Sequence, residues 1–131
     1  MSKNGSKYQW IGPPNTYVVV LGDMVDRKRP NQFSGLYEGK DDEIKIMRLI
    51  SILDFQARRH QSRVLKCYGN HEVMNLTNDF RFATTDLGER QKDYAKDGRA
   101  RKAMKACGIY GVVKVGDWIF THGGIGKELT E

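Results

Sequence analysis

Three residues of this 131-residue sequence carry metal-binding side chains, and each follows a short apolar segment. Asp23 offers a carboxylate that can bridge two ions, Asn70 offers an amide oxygen, and His122 offers an imidazole nitrogen. This mixture of donors suits divalent ions of intermediate hardness, with manganese expected first and iron or zinc as alternatives. Two such ions roughly 3.5 to 4 Å apart activate water and neutralise phosphoryl charge. The residue types therefore point to the hydrolysis of a phosphate ester.

The neighbours of these residues suit the remaining steps of such a reaction. His71 can face the departing oxygen while Asn70 faces the metal, and imidazole is suited to act as a general acid near neutral pH. Asp26 can orient that imidazole and favour its protonated form. Arg27 has a planar fork that can grip two phosphate oxygens at once.

The apolar segments predict the elements that position these side chains. Residues 17–21 and 63–68 are predicted strands, and the pair 110–115 and 118–121 is a predicted hairpin that turns at Gly116-Asp117. A helix is predicted from the acidic cluster 41–43 to the basic residues 58–60, with Ile46, Met47, Ile50, Leu53 and Ala57 on its core face. Residues 73–88 are predicted to form a short helix and then a loop, and a second long helix is predicted over 96–106, ending before Gly108.

This order of elements predicts an α/β sandwich with a mixed sheet. Sites in such sheets lie beyond the carboxyl ends of the strands. Three predicted strands end just before Asp23, Asn70-His71 and His122, so we expect these side chains to converge.

Three motifs in this order resemble those of the calcineurin-like metallophosphoesterases. They are Gly22-Asp23-Met24-Val25-Asp26-Arg27, Gly69-Asn70-His71-Glu72, and His122-Gly123-Gly124 after an apolar strand. The phosphoprotein-phosphatase branch is the most similar, because Asp-Arg after the metal aspartate and Glu after Asn-His are its marks. The resemblance covers about residues 17 to 125.

The resemblance implies an α/β/β/α sandwich in which two sheets face each other and hold two divalent metals. It implies that Asp23 bridges both metals and that Asn70 and His122 ligate the second. Phosphorylated proteins or small phosphoesters would be the substrates.

The resemblance also implies roles for the neighbouring residues. His71 with Asp26 would form the acid dyad, and Arg27 and Asn70 would bind the substrate phosphate. Glu72 is expected to brace the loop and not to touch metal.

One family motif is absent before Asp23. The family begins with Asp-x-His on an earlier strand, but no Asp, Glu or His precedes Asp23 here. A further metal histidine lies beyond the His-Gly-Gly segment in the family. We therefore expect at most one firmly held ion. The hypothesis is that residues 17–131 form an incomplete phosphoesterase domain of a longer, split or decayed phosphatase, preceded by a segment 1–16 that is poorly ordered or lies at an edge.

Two other function classes remain open. The incomplete set of ligands leaves open a catalytically inactive relic that binds phosphate or a partner through Arg27, His71 and Asn70. The net charge of +6 permits phosphate-rich partners, so a nucleic-acid binder or nuclease-like relative that uses residues 90–105 also remains an alternative. Acidic residues interrupt that basic run, which favours a solvated helix face over a nucleic-acid groove.

Composition also bears on the compartment. The sequence has no apolar stretch long enough for a membrane span and no secretion signal, which predicts an intracellular, cytoplasmic location. Cys67 and Cys107 are expected to be buried free thiols.

Overall fold

The computed structural model describes residues 7–26, 42–83 and 86–126. The predicted phosphate-binding Arg27 lies outside these residues. The strands and helices, with one 3-10 turn at Arg58–His60, are β1 Tyr17–Val20, α1 Asp42–Ala57, β2 Arg63–Lys66, α2 Asn70–Leu76, α3 Leu87–Tyr94, α4 Arg99–Cys107, β3 Val113–Val115 and β4 Trp118–Phe120.

The described strands form two two-stranded sheets, one parallel and one antiparallel. Strands β1 and β2 are parallel, in a register that sets Tyr17 opposite Arg63. On the other edge of β2, Tyr110 forms an isolated parallel bridge with Cys67, and the Tyr110 amide donates to the Lys66 carbonyl at 2.9 Å. Strands β3 and β4 form the predicted antiparallel hairpin, and Gly116 at its turn has a φ of 57°, which glycine adopts without strain.

Helix α1 packs against α4 and β2, and its buried face differs slightly from the predicted one. Met47 and Ala57 are buried as predicted, but Ile46 is exposed and Ile44 is buried in its place. The face is shifted because the polar Asp54 also lies on the buried side, where it contacts β2. The core cluster joins α1 to α3, α4 and the loop after β1, and its buried members are Val25, Ile44, Met47, Tyr94, Ala100, Met104, Cys107 and Ile109.

Helix α3 was not predicted as a separate element. Asp86 begins it by accepting a hydrogen bond from the Glu89 amide at 3.1 Å. Its end and the start of α4 approach so closely at Gly98 that an added Cβ would lie 2.1 Å from the Asp93 carbonyl oxygen. Gly98 therefore permits a sharp turn between α3 and α4. The helix that was predicted to begin at residue 96 begins at Arg99, after this turn.

The segment before β1 lies along α1. The Trp10 amide donates to Gln56 Oε1 at 2.7 Å, and Gln56 Nε2 donates to the Tyr8 carbonyl at 3.2 Å. A single side chain on α1 therefore pairs with two positions of the segment that leads into the sheet.

Two predictions from composition can be compared with the structure. Cys67 and Cys107 are both buried and free, which confirms the prediction for the thiols. Among the helices of the described ranges, none is long and apolar enough to cross a bilayer.

A buried carboxylate fixes α1 on β2. Asp54 accepts hydrogen bonds from the Val64 amide at 2.8 Å and from Arg58 and Arg63 at 2.9 Å each. Burial acts to raise the pKa of Asp54, but the hydrogen bonds from Arg63, the Val64 amide and Arg58 outweigh it and lower the pKa from 3.8 to about 2. The ionised form of this carboxylate therefore stabilises the folded chain.

Replacing Asp54 with Asn should destabilise the protein, because a neutral amide cannot accept from all of these donors. We expect the free energy of unfolding at pH 7 to fall by about 1 to 3 kcal/mol, measured by urea unfolding. Since the pKa of Asp54 is lower in the folded state, its contribution is present above pH 3.8 and is lost as the pH falls towards about 2. The Asp54→Asn variant should lack this part of the acid dependence.

The exposed Asp97 offers a matched control, because Asp97→Asn removes the same charge from the surface. Equal stability of the two variants at pH 7 would contradict a structural role for Asp54.

Candidate active site

Two glycines allow the loops after β1 and β2 to pack backbone to backbone. Gly22 has a φ of 98°, and an added Cβ there would lie 2.4 Å from the Gly69 nitrogen. A Cβ on Gly69 would lie 2.2 Å from the Asp23 carboxylate and 2.5 Å from the Asp23 nitrogen. Only the absence of side chains at both positions lets the two motif loops come this close.

The buried Glu72 carboxylate joins these two loops. It accepts hydrogen bonds from the backbone amides of Asp23 at 2.8 Å, Met24 at 2.5 Å and Gly69 at 2.7 Å. Three charge-assisted bonds satisfy an ionised group that is fully buried. The prediction that Glu72 braces the loop is confirmed.

The three predicted metal ligands meet at the ends of their strands. His122 Nε2 lies 3.0 Å from Asn70 Oδ1 and 3.3 Å from Asp23 Oδ2. The structure therefore brings together side chains that are separated by 47 to 99 positions in the sequence, although their roles as ligands stay predictions.

The donor set of this cluster fits a divalent cation. The other nitrogen of His122, Nδ1, lies 2.7 Å from the Leu21 carbonyl, which can only accept a hydrogen bond. Nδ1 therefore carries a proton, and Nε2 is the nitrogen that faces the two oxygens. A nitrogen and two oxygens of this kind suit a divalent ion, and ligand atoms at right angles around an ion with bonds of about 2.1 Å lie roughly 3.0 Å apart.

The third donor of this cluster is an amide. Within residues 7–26, 42–83 and 86–126, no group of three or more His, Cys, Asp or Glu side chains could hold a metal ion. With Asn70 counted, the described residues bring three side chains together that are predicted to ligate one ion.

His71 and Asp26, the two residues of the predicted acid dyad, are in contact next to this cluster. His71 Nδ1 lies 3.0 Å from Asp26 Oδ2, and the His71 amide donates to Asp23 Oδ1 at 3.2 Å. The edge of the His71 ring also packs against Phe82, with ring centroids 5.1 Å apart. These contacts hold the imidazole with Nδ1 on the carboxylate, so that Nε2 is the nitrogen left for another partner.

Two carboxylates of the site lie on strained backbone. Asp23 has a φ of 54° and Asp26 a φ of 68°, in the left-handed region that few residues other than glycine adopt. Such conformations cost about 1 to 3 kcal/mol each and persist where surrounding contacts impose them. Here Glu72 accepts from the amides of Asp23 and Met24, and Glu43 accepts from the Asp26 amide at 2.8 Å.

Arg90 binds Asp26 of the predicted dyad, a role that the sequence did not predict. It donates to Asp26 Oδ1 at 2.5 Å and to Asn75 Oδ1 at 2.7 Å, and it also donates to the Glu43 carboxylate. Asn75 in turn donates to Asp26 Oδ2 at 2.7 Å. The basic run 90–105 had been interpreted as a solvated helix face, which is wrong for Arg90 because only 5% of it is exposed.

The charges around Arg90 decide its protonation. Burial acts to lower the pKa of Arg90, but hydrogen bonds to Glu43 and the charges of Glu43 and Asp26 outweigh it and raise the pKa. Burial raises the pKa of Tyr94, and the Cζ atom of Arg90 lies 4.8 Å from the centroid of its ring. Arg90 is therefore a permanent cation against Asp26. Because α3 was not predicted from the sequence, no signal there distinguished the buried Arg90 from the exposed basic residues that follow it.

A cleft opens beside the site, between α1 and the loop after β1. Its volume is about 670 Å³, and its lining combines Asp23 and Asp26 with the apolar Ile46, Leu49 and Ile52. A lining that combines a few polar side chains with apolar ones is typical of small-molecule and peptide sites.

Comparison with solved structures defines the class of this fold. The chain is similar to a cold-active protein tyrosine phosphatase, with a TM-score of 0.59 and 22% identity, over 87% of this chain and 32% of that one. The likeness confirms the predicted α/β fold class.

The family follows from the sequence comparisons. The model for the calcineurin-like phosphoesterases matches residues 4–130, so the chain belongs to the calcineurin-like phosphoesterase family, whose members generally use divalent metals. The predicted family is thereby confirmed.

Two curated relatives match part of the chain. Shewanella-like protein phosphatase 2 of Arabidopsis thaliana is 34% identical over 79 residues, which are 60% of this chain and 17% of that protein. An uncharacterized protein of Schizosaccharomyces pombe is 35% identical over 75 residues, which are 57% of this chain and 19% of that protein. The matched segments therefore span less than a fifth of each relative.

Gly69→Ala should destabilise the chain, because the new Cβ would collide with the Asp23 carboxylate and backbone. We expect a loss of roughly 1 to 3 kcal/mol in the free energy of unfolding, measured by denaturant titration. Gly123→Ala is the control, since an added Cβ there meets nothing within 4 Å. Unchanged stability of Gly69→Ala would show that the two loops do not pack as described.

Proposed function

We propose that this chain serves metal-dependent hydrolysis of phosphate monoesters, with phosphoserine and phosphothreonine proteins as substrates. The observation that supports this most directly is the contact of His122 Nε2 with the oxygens of Asn70 and Asp23. A nitrogen and two oxygens that can ligate a metal meet there, and members of the family of this chain generally use divalent metals.

In this proposal Asp23, Asn70 and His122 hold one divalent ion, with manganese preferred to iron or zinc. A bound ion of this kind activates water and neutralises charge on the phosphoryl oxygens. The Leu21 carbonyl keeps the His122 proton on Nδ1, and the His71 amide fixes one oxygen of Asp23, so both ligands are oriented before an ion binds.

His71 is the proposed general acid. Asp26 contacts Nδ1 of the ring, which leaves Nε2 to donate a proton to the oxygen of the leaving alcohol. Arg90 and Asn75 each donate to Asp26 and keep its carboxylate in place. Arg27 and Asn70 are proposed to bind the substrate phosphate.

The proposed protein substrate has two supports. The motifs with Asp26-Arg27 and Glu72 are those of the phosphoprotein-phosphatase branch, and one relative is named a protein phosphatase. The cleft beside Asp23 and Asp26 has room for residues that flank a phosphorylated side chain, and its apolar wall suits a peptide better than a free sugar phosphate.

A non-catalytic phosphate-binding or partner-binding role is the second candidate. Three ligands around a single ion position, in the part of the chain that the structure describes, support binding of one ion more directly than a two-metal reaction. A nucleic-acid role has less support, because Arg90 is buried and Arg99 pairs with Asp93 at 2.9 Å.

Calorimetric titration with Mn²⁺ should detect one bound ion per chain. Asp23→Asn and His122→Ala should each weaken this binding at least tenfold, because the first removes the negative charge of the ligand set and the second removes one of three ligands. His60→Ala is the matched control, since His60 is an exposed histidine of the 3-10 turn outside this cluster. Equal affinities of the wild type and His122→Ala would overturn the proposed metal site.

Turnover with Mn²⁺ should depend on the dyad. His71→Asn should lower kcat on an alkyl phosphate by about 10² to 10⁴ with unchanged Mn²⁺ affinity, since only the proton donor is lost. The decrease should be smaller on p-nitrophenyl phosphate, whose leaving group needs no proton. Mn²⁺ binding and phosphate binding without turnover in the wild type would favour the second candidate, and equal losses on both substrates would contradict a general acid at His71.

A further inference from the structure

A second polar cavity lies beside β2, between the C-terminal ends of α1 and α4. Its volume is about 300 Å³, and it shares no lining residue with the candidate active site. We call it the basic cavity, because Arg58, Arg63 and Lys66 line it and Asp54 is the only acid on its wall.

Asp54 is already saturated by other donors. Its Oδ1 accepts from the Val64 amide at 2.8 Å and Arg63 Nε at 2.9 Å, and its Oδ2 accepts from both arginines, with Arg58 Nη2 at 2.9 Å and Arg63 Nη2 at 3.3 Å. The carboxylate therefore fixes the guanidinium groups of Arg58 and Arg63 at the wall of the cavity and has no lone pair left for Lys66.

Lys66 is a buried basic residue that forms no ion pair among the described residues, although Asp54 lies close enough to feel its charge. Only 3% of the residue is exposed, and its ammonium has one hydrogen bond among the described residues, to the Val64 carbonyl of its own strand at 3.0 Å. An ammonium has three donors, so two of them have no protein acceptor. Taking such a charge out of water is costly unless a partner compensates it.

The charges of the basic cavity therefore do not balance. Three cations face one carboxylate, which leaves two positive charges in excess. We propose that the basic cavity is a binding site for a phosphate-class oxyanion, either free phosphate or the phosphoryl group of a small molecule, held by Lys66 and by the outward N–H groups of Arg58 and Arg63. The two excess charges match a dianion.

The walls of the cavity suit a phosphorylated small molecule. Tyr110 contributes a phenol and Phe55 an exposed aromatic face beside the basic groups. The volume exceeds what one phosphate ion fills, so an organic group attached to the phosphate can lie against these rings.

Thermal unfolding in EDTA tests this site without the proposed metal centre. At constant ionic strength set with chloride, added phosphate should raise the Tm of the wild type in proportion to its occupancy. Lys66→Met should weaken the apparent phosphate affinity at least tenfold and should raise Tm in the absence of phosphate, because it removes an uncompensated buried charge. Phosphoserine and a sugar phosphate, used as separate probes, distinguish free phosphate from a phosphorylated small molecule.

Lys114→Met is the matched control, since it removes the same charge from an exposed position of β3, and it should leave the phosphate response unchanged. A wild-type Tm that responds no more to phosphate than to chloride would overturn the site, as would an unchanged response in Lys66→Met. Amide NMR shifts of the wild type supply a second measurement. Phosphate should move the signals of residues 64–66 and 107–110, and shifts confined to residues 69–71 would contradict the proposal.

Discussion

The candidate active site depends on one buried carboxylate. Glu72 accepts the backbone amides of Asp23, Met24 and Gly69, and so joins the loop after β1 to the loop after β2. Those loops can meet because Gly22 and Gly69 have no side chains where their backbones touch. Without this junction the left-handed backbone at Asp23 would have no support, and its carboxylate would not lie beside the groups that follow β2 and β4.

A second charge network positions the dyad. Arg90 extends from α3 to Asp26, and it is also bound by Glu43 of α1 and Asn75 of α2. Three helices therefore converge on the carboxylate that contacts His71. A cation that is buried among two carboxylates is retained only where each of its donors is satisfied, so the position of Asp26 is fixed by tertiary contacts with all three helices.

Asp54 and Lys66 are both buried near β2, but they differ in their partners. Asp54 is satisfied by five donors, and its ionised form stabilises the fold. Lys66 is as deeply buried but has a single carbonyl as its partner. The first pattern is that of a structural ion pair, whereas the second leaves donors of a buried basic group for a ligand. This contrast is the physical basis of the proposed anion site in a phosphoesterase-family domain.

The sequence by itself determined the local elements and the three motifs, because alternation, apolar runs and turn residues act over a few positions. It indicated that Asp23, Asn70 and His122 would meet, since strand ends gather at one edge of a sheet. Only the tertiary structure decided that Arg90 is buried, that Gly98 separates α3 from α4, and that Lys66 forms no ion pair within the described part of the chain. Such facts depend on which distant side chains approach each other, and no local pattern in one sequence encodes those distances.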